Sequence, residues 1–155
     1  MIWEQLDKEL IHIGVEASNC EEALTALGKV FIKEGYCKET YIEALKEREK
    51  EFPTGLDING YGVAIPHTSV THVNKAGTGI AILKSPVTFL QMGTDDEEVE
   101  VGILFMLAVV EPQQHLQDLK RILAIIQDNA VLSSLAVAKS KEEIINIIKE
   151  KELTL

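Results

Sequence analysis

His67 closes the apolar, strand-like run Gly62-Val63-Ala64-Ile65-Pro66 and is followed by Thr68. Proline fixes its own φ and holds the residue before it in extended geometry, so the backbone entering His67 is stiff and aims the ring. Gly60 and Gly62 permit tight turning or the close approach of another group. An imidazole is nucleophilic and largely neutral near pH 7, its unperturbed pKa being ~6.5. His67 is therefore a candidate nucleophile, although the segment alone also describes a strand-end histidine bonded to its neighbours. Arg48 offers a guanidinium fork that matches phosphate oxygens, or else an ion pair with a neighbouring glutamate on a solvated helix face. His115 falls in the first turn of a helix beginning near Pro112, where the positive helix end should depress its protonation and favour an anion. It equally fits a polar first-turn residue facing water. Thr68 has a hydroxyl that can donate to an oxyanion or satisfy a turn.

These residues must be positioned by alternating strand and helix signals. Leu10–Val15 reads as a first strand. Ser18-Asn19-Cys20-Glu21 has capping-box spacing, and Ala23, Leu24, Leu27, Val30 and Phe31 form a helical stripe that stops at Gly35. A second helix is expected over 38–50, with Tyr41, Ile42 and Leu45 inward. Residues 77–83, 87–90 and 99–110 read as strands. Glu111-Pro112 opens a long helix carrying Leu116, Leu119, Ile122, Leu123 and Ile126. A short helix over 131–137 follows, and the capping box Ser140–Glu143 starts a terminal helix with Ile144, Ile145 and Ile148. The expected architecture is α/β, a central mixed sheet flanked by helices, with the site at strand ends.

Composition sets the frame. A chain of 155 residues with 46% hydrophobic and 26% charged residues reads as one domain, spanning 1–155, with a core of ordinary size. The longest apolar run, 103–110, is too short to cross a bilayer, and Met1-Ile2-Trp3-Glu4 lacks the start of a signal peptide. Cys20 and Cys37 have neither metal-ligand nor CxxC spacing, which fits a reducing cytoplasm. A formal charge of −10 without a dense basic cluster argues against nucleic acid or an anionic membrane and fits a partner with a basic patch. Asp95-Asp96-Glu97-Glu98 reads as a solvated loop between strands.

Arg-Glu-Lys-Glu-Phe-Pro-Thr-Gly at 48–55, Val-Ala-Ile-Pro-His-Thr at 63–68 and Glu-Pro-Gln-Gln-His-Leu at 111–116, in this order, resemble the EIIA domain of the fructose/mannitol type in the bacterial phosphoenolpyruvate-dependent sugar phosphotransferase system. The Phe-Pro-Thr-Gly and Pro-Gln-Gln segments are most like its galactitol-specific branch. The resemblance implies that His67 accepts a phosphoryl group from the phosphocarrier HPr through Nε2 and passes it to a cysteine of an EIIB partner. It gives Arg48 the assisting role and makes His115 a second active-site histidine that assists without being essential, with Thr68, Thr54 and Gly55 beside the phosphate. Nδ1 of His67 should then donate to a backbone carbonyl. No cofactor and no metal are implied. The membrane EIIC unit and EIIB must lie elsewhere, since this chain has neither the apolar segment nor the cysteine-bearing phosphate loop. Phe52, Pro53, Leu90 and Met92 are candidate partner contacts. A regulatory relative of the nitrogen type would accept the same phosphate and act by binding other proteins. A hydrolase or metal site from His67, His72 and His115 is the alternative of another class, weakened by the lack of a carboxylate at ligand spacing.

Overall fold

Two periodicities divide the chain between one sheet and the helices that cover it. The computed structural model describes residues 1–155. In order, the elements are α1 (Ile2–Gln5), β1 (Leu6–Val15), α2 (Cys20–Lys33), α3 (Tyr41–Glu51), β2 (Gly55–Ile58), β3 (Tyr61–Ala64), a 3-10 turn (Val70–His72), β4 (Gly77–Leu90), β5 (Glu98–Ala108), α4 (Pro112–Ile126), α5 (Asn129–Ala136) and α6 (Lys141–Glu152). The five strands lie in the order β1-β4-β5-β3-β2. β1 runs parallel to β4 and β3 parallel to β5, while β4–β5 and β2–β3 are antiparallel. The expected mixed sheet flanked by helices is therefore present.

Alternation along the strands builds a core on each face of the sheet. Ile80, Ile82, Ile103, Phe105 and Leu107 face Ile122, Ile125, Leu132, Leu135, Ile144 and Ile148 of α4, α5 and α6. Ala81, Leu83, Leu104 and Met106 face Leu24, Leu27, Phe31, Tyr41 and Leu45 of α2 and α3. Successive strand side chains point to opposite faces, so both faces being apolar produces the continuous apolar runs of β4 and β5.

Several boundaries differ from the sequence-based expectation for identifiable reasons. The two runs over 77–90 form one strand whose ladder with β5 is interrupted between Ile82 and Val87, where Lys84, Ser85 and Pro86 are exposed. A proline without an N–H is tolerated at such an irregularity. The first cap is Asn19 rather than Ser18: the Asn19 side chain accepts from Glu22 N, and Ser18 N donates to the Glu22 carboxylate. α3 begins at Tyr41, because Cys37 bridges Val73 and Lys38 N donates to His72 O. Leu116 is 52% exposed; Ile125 takes its place in the buried stripe of α4.

β2 and α1 lay outside the expectation. β2 joins β3 through Asn59-Gly60, both at positive φ, as a two-residue hairpin requires. α1 depends on a residue 150 positions away, since the buried Glu152 carboxylate accepts from Ile2 N and Trp3 N.

The strand that delivers His67 is held by a close approach. A Cβ on Gly62 would lie 1.7 Å from the Glu100 carbonyl oxygen and 2.9 Å from the Val101 Cα, both backbone atoms of β5. Gly62→Ala should force β3 away from β5 and destabilise the fold by about 2 kcal/mol or more, read from urea unfolding.

Candidate active site

β3 ends at Ala64, and the next three residues are fastened individually. Ile65 N donates to Thr54 O at 3.4 Å, and Pro66 O accepts from Leu107 N at 3.0 Å. Ile65 is fully buried and Pro66 buried, so the turn into His67 has little freedom. Nδ1 of His67 then donates to the Ile65 carbonyl oxygen at 2.9 Å. A carbonyl accepts only, so this contact places the ring proton on Nδ1 and leaves the lone pair on Nε2. Nε2 makes no hydrogen bond within the chain. Burial lowers the pKa of the His67 ring, the bond to Ile65 opposes the shift, and the positive charge of Arg48 adds to it. The ring is thus held in its neutral, nucleophilic form.

α4 brings the second histidine. Pro112 occupies its first turn, and the Glu111 side chain caps it by accepting from Gln113 N and Gln114 N. His115 follows, its ring centroid 4.8 Å from that of His67 with the planes tilted by 49°. Its pKa is lowered by burial first, then by His67 and Arg48, while Asp118 opposes. The helix end itself is not an open anion site, because the Glu111 carboxylate already occupies its amides. Burial and neighbouring charge keep His115 neutral. Nδ1 of His115 is buried without a hydrogen-bond partner.

Arg48 lies in the last turn of α3, exposed, with its guanidinium 4.2 Å above the Phe52 ring. The neighbouring charges pair elsewhere: Lys46 with Glu43 and Lys50 with Glu21. The alternative of an Arg–Glu surface pair is not realised, and the guanidinium is left available to an incoming anion. Thr68 is half-buried, and its hydroxyl makes no intrachain hydrogen bond.

Thr54 and Gly55 are supports rather than open groups. Thr54 is 3% exposed, and its hydroxyl and amide both donate to Glu49, at 2.7 and 2.6 Å. Gly55 pairs with Ala64, its carbonyl accepts from Met92 N at 2.7 Å, and a Cβ there would meet the Leu90 carbonyl oxygen at 2.6 Å. His72 pairs through Nδ1 with the Thr40 hydroxyl at 2.8 Å. The three histidines do not assemble into a group able to hold a metal ion. Burial pushes the thiols of Cys20 and Cys37 up to about 12, so neither is a thiolate at neutral pH.

Glu49 is the site neighbour that the sequence reading missed. It sits in the alternating charges Lys46-Glu47-Arg48-Glu49-Lys50-Glu51, which read as a solvated face. Its spacing from Tyr41 and Leu45, four residues at a time, was the available signal, and all three are buried. Burial raises its pKa from the ordinary 4.5 to about 7, against the opposing effect of two hydrogen bonds from Thr54.

Two outcomes are expected. Arg48→Gln removes a charge that disfavours the imidazolium, so the His67 pKa should rise in a histidine NMR titration. For Glu49 the folded state binds the proton more tightly than the unfolded one, so its contribution is full below pH 4.5 and declines as pH rises to about 7. Wild type minus Glu49→Gln stability, from urea unfolding across that window, should therefore fall with rising pH.

Residues 4–151 match the family described as phosphoenolpyruvate-dependent sugar phosphotransferase system, EIIA 2. The chain is 31% identical over 149 residues to the mannitol-specific EIICBA component of Buchnera aphidicola, covering 96% of this chain but 22% of that protein. It thus spans about a fifth of that relative's length. It is 30% identical over 125 residues to the galactitol-specific EIIA component of Escherichia coli, covering 81% of this chain and 83% of that one. Among solved structures, the complex of the mannitol enzyme IIA with phosphorylated enzyme IIB from Escherichia coli aligns with a TM-score of 0.78 and 26% identity, over 94% of this chain and 97% of the other. No helix here is long and apolar enough to cross a membrane. The chain belongs to the EIIA 2 family of the phosphoenolpyruvate-dependent sugar phosphotransferase system.

Proposed function

We propose that this chain is a cytoplasmic phosphocarrier whose His67 accepts a phosphoryl group from phospho-HPr and passes it to a cysteine of an EIIB partner, which serves a membrane EIIC. The observation that carries the reading is the Nδ1 contact with Ile65, which leaves Nε2 as the free lone pair of a ring that lies against His115 and feels the positive charge of the unpaired Arg48. Phosphoryl transfer asks the protein for in-line positioning and for compensation of charge on the equatorial oxygens. As the Nε2–P bond forms, the donor's N–P bond breaks, and the electron pair returns to the donor imidazole. In the second step the Nε2–P bond breaks as an S–P bond forms on EIIB. His67 is the nucleophile in the first step and the leaving group in the second. Arg48 compensates charge, and the His115 ring and Thr68 hydroxyl can donate to phosphate oxygens. Thr54 and Gly55 act through the backbone that holds the turn. No step needs a metal or cofactor, since the chain's own side chains and those of its partners carry the group.

The partner surface is apolar around the charged site. Phe52 (50% exposed) lies under Arg48, Met92 (39%) is bonded to Gly55, and Val110 (46%) and Leu116 (52%) flank the start of α4. Pro53 is buried and Leu90 half-buried, so Phe52 and Met92 are the contacts retained from that group. The galactitol-specific relative supports galactitol or a related polyol as the sugar served downstream.

Incubation with phosphoenolpyruvate, enzyme I and HPr should place acid-labile phosphate on the wild type and none on His67→Ala. Arg48→Ala should slow acceptance by roughly 10- to 150-fold, the worth of one charge-assisted hydrogen bond. His115→Ala should slow it by about 10-fold without abolishing it. Onward transfer to an EIIB cysteine separates transport from a regulatory role of the nitrogen type. Absence of label on folded wild type would overturn both.

A further inference from the structure

We propose that Glu49 is a positioning residue for His67, acting through Thr54 and Ile65, an inference that rests on the phosphocarrier reading above. Glu49 projects from the buried face of α3, opposite in sense to its neighbour Arg48, and is 7% exposed. Its two carboxylate oxygens each accept from one residue: Oε2 from Thr54 N at 2.6 Å and Oε1 from the Thr54 hydroxyl at 2.7 Å. Thr54 O in turn accepts from Ile65 N at 3.4 Å, one residue beyond the Gly55–Ala64 pair. Ile65 O accepts from Nδ1 of His67. Pro66 has no N–H, so the Ile65 amide is the last one before the histidine able to tie this edge of the turn to the α3 side.

No cation is paired with Glu49, and it is not among the groups that shift the His67 ring. Lys46 and Lys50 border the same groove, but their ammonium groups pair with Glu43 and Glu21. Glu21 and Glu98 and the thiol of Cys20 also line it, and none supplies a cation. A buried carboxylate without a cation is costly, and it is kept here by two short bonds to a single threonine. What that arrangement secures is the place of Thr54, and with it the carbonyl that holds Ile65.

The test reads the ring directly. In histidine-15N-labelled protein, at a pH where the ring is neutral, wild-type His67 should be protonated on Nδ1. Glu49→Ala should shift the tautomer ratio several-fold away from the Nδ1-protonated form and slow phosphoryl acceptance by about tenfold. Glu49→Gln should restore both, because its amide oxygen can accept from Thr54 N while its NH2 donates to the Thr54 hydroxyl. A folded Glu49→Ala protein with the wild-type tautomer would overturn the inference, as would a Gln variant as impaired as Ala. Should Glu49→Ala not fold, Thr54→Val removes only the hydroxyl donor at nearly constant volume. A smaller shift in the same direction is then expected, and an unchanged ring spectrum overturns the inference. The tautomer reading needs no transfer, so a wild type that accepts no phosphate contradicts the functional reading alone.

Discussion

A carbonyl oxygen has no proton to give, so the 2.9 Å contact between Nδ1 of His67 and the Ile65 carbonyl decides which ring nitrogen is basic. Neutral imidazole in water exchanges freely between two tautomers. One hydrogen bond of about 1 kcal/mol shifts such an equilibrium roughly fivefold. The bond has this effect only if the carbonyl itself is fixed. Pro66 stiffens the chain on one side, Leu107 N binds Pro66 O on another, and the Thr54 segment holds Ile65 on the third. The whole sheet contributes, since β3 is narrow enough at Gly62 to lie against β5 and is paired to β2 along its other edge.

The electrostatics of the site run against those of the molecule. The chain carries a formal −10, yet the groups around His67 are a second neutral imidazole and an unpaired guanidinium. Burial and Arg48 lower the pKa of both histidines, which favours the uncharged form of each ring beside one permanent positive charge. Glu111 is turned into the start of α4 as its cap, and Asp118 is the carboxylate that acts on His115, opposing the fall in its pKa. On the proposed function, the acidic remainder of the surface suits a basic partner reached by steering, and the exposed Phe52, Met92, Val110 and Leu116 offer it apolar contact.

What the sequence made legible was local. The stripes of α2, α4 and α6, the apolar runs of β4 and β5 and the proline before His67 each report on neighbours a few residues away, and each is present except that Leu116 of α4 is exposed and Ile125 is buried in its stead. His67 and His115, 48 positions apart, come into ring contact because β3 and α4 meet at the same end of the sheet. The missed features are those that depend on distant partners. α1 has too few residues to persist without the Glu152 carboxylate, and β2 has little apolar alternation of its own. Glu49 lies in a run of charges that reads as solvated, and only the packing of α3 against the sheet reveals its buried side. Thr54 and Gly55 read from sequence as neighbours of the phosphate, and the bonds of Thr54 to Glu49 and of Gly55 to Ala64 and Met92 depend on partners that no local pattern reveals.

The central claim is that His67 reacts through Nε2 because Nδ1 is held by Ile65. The most direct measurement is 15N and 31P NMR of the phosphorylated, histidine-15N-labelled protein, which identifies the nitrogen bonded to phosphorus. The expected result is a single phosphohistidine at His67 with phosphorus on Nε2 and the proton still on Nδ1. Phosphorus on Nδ1 of His67, or on His115, would contradict the account.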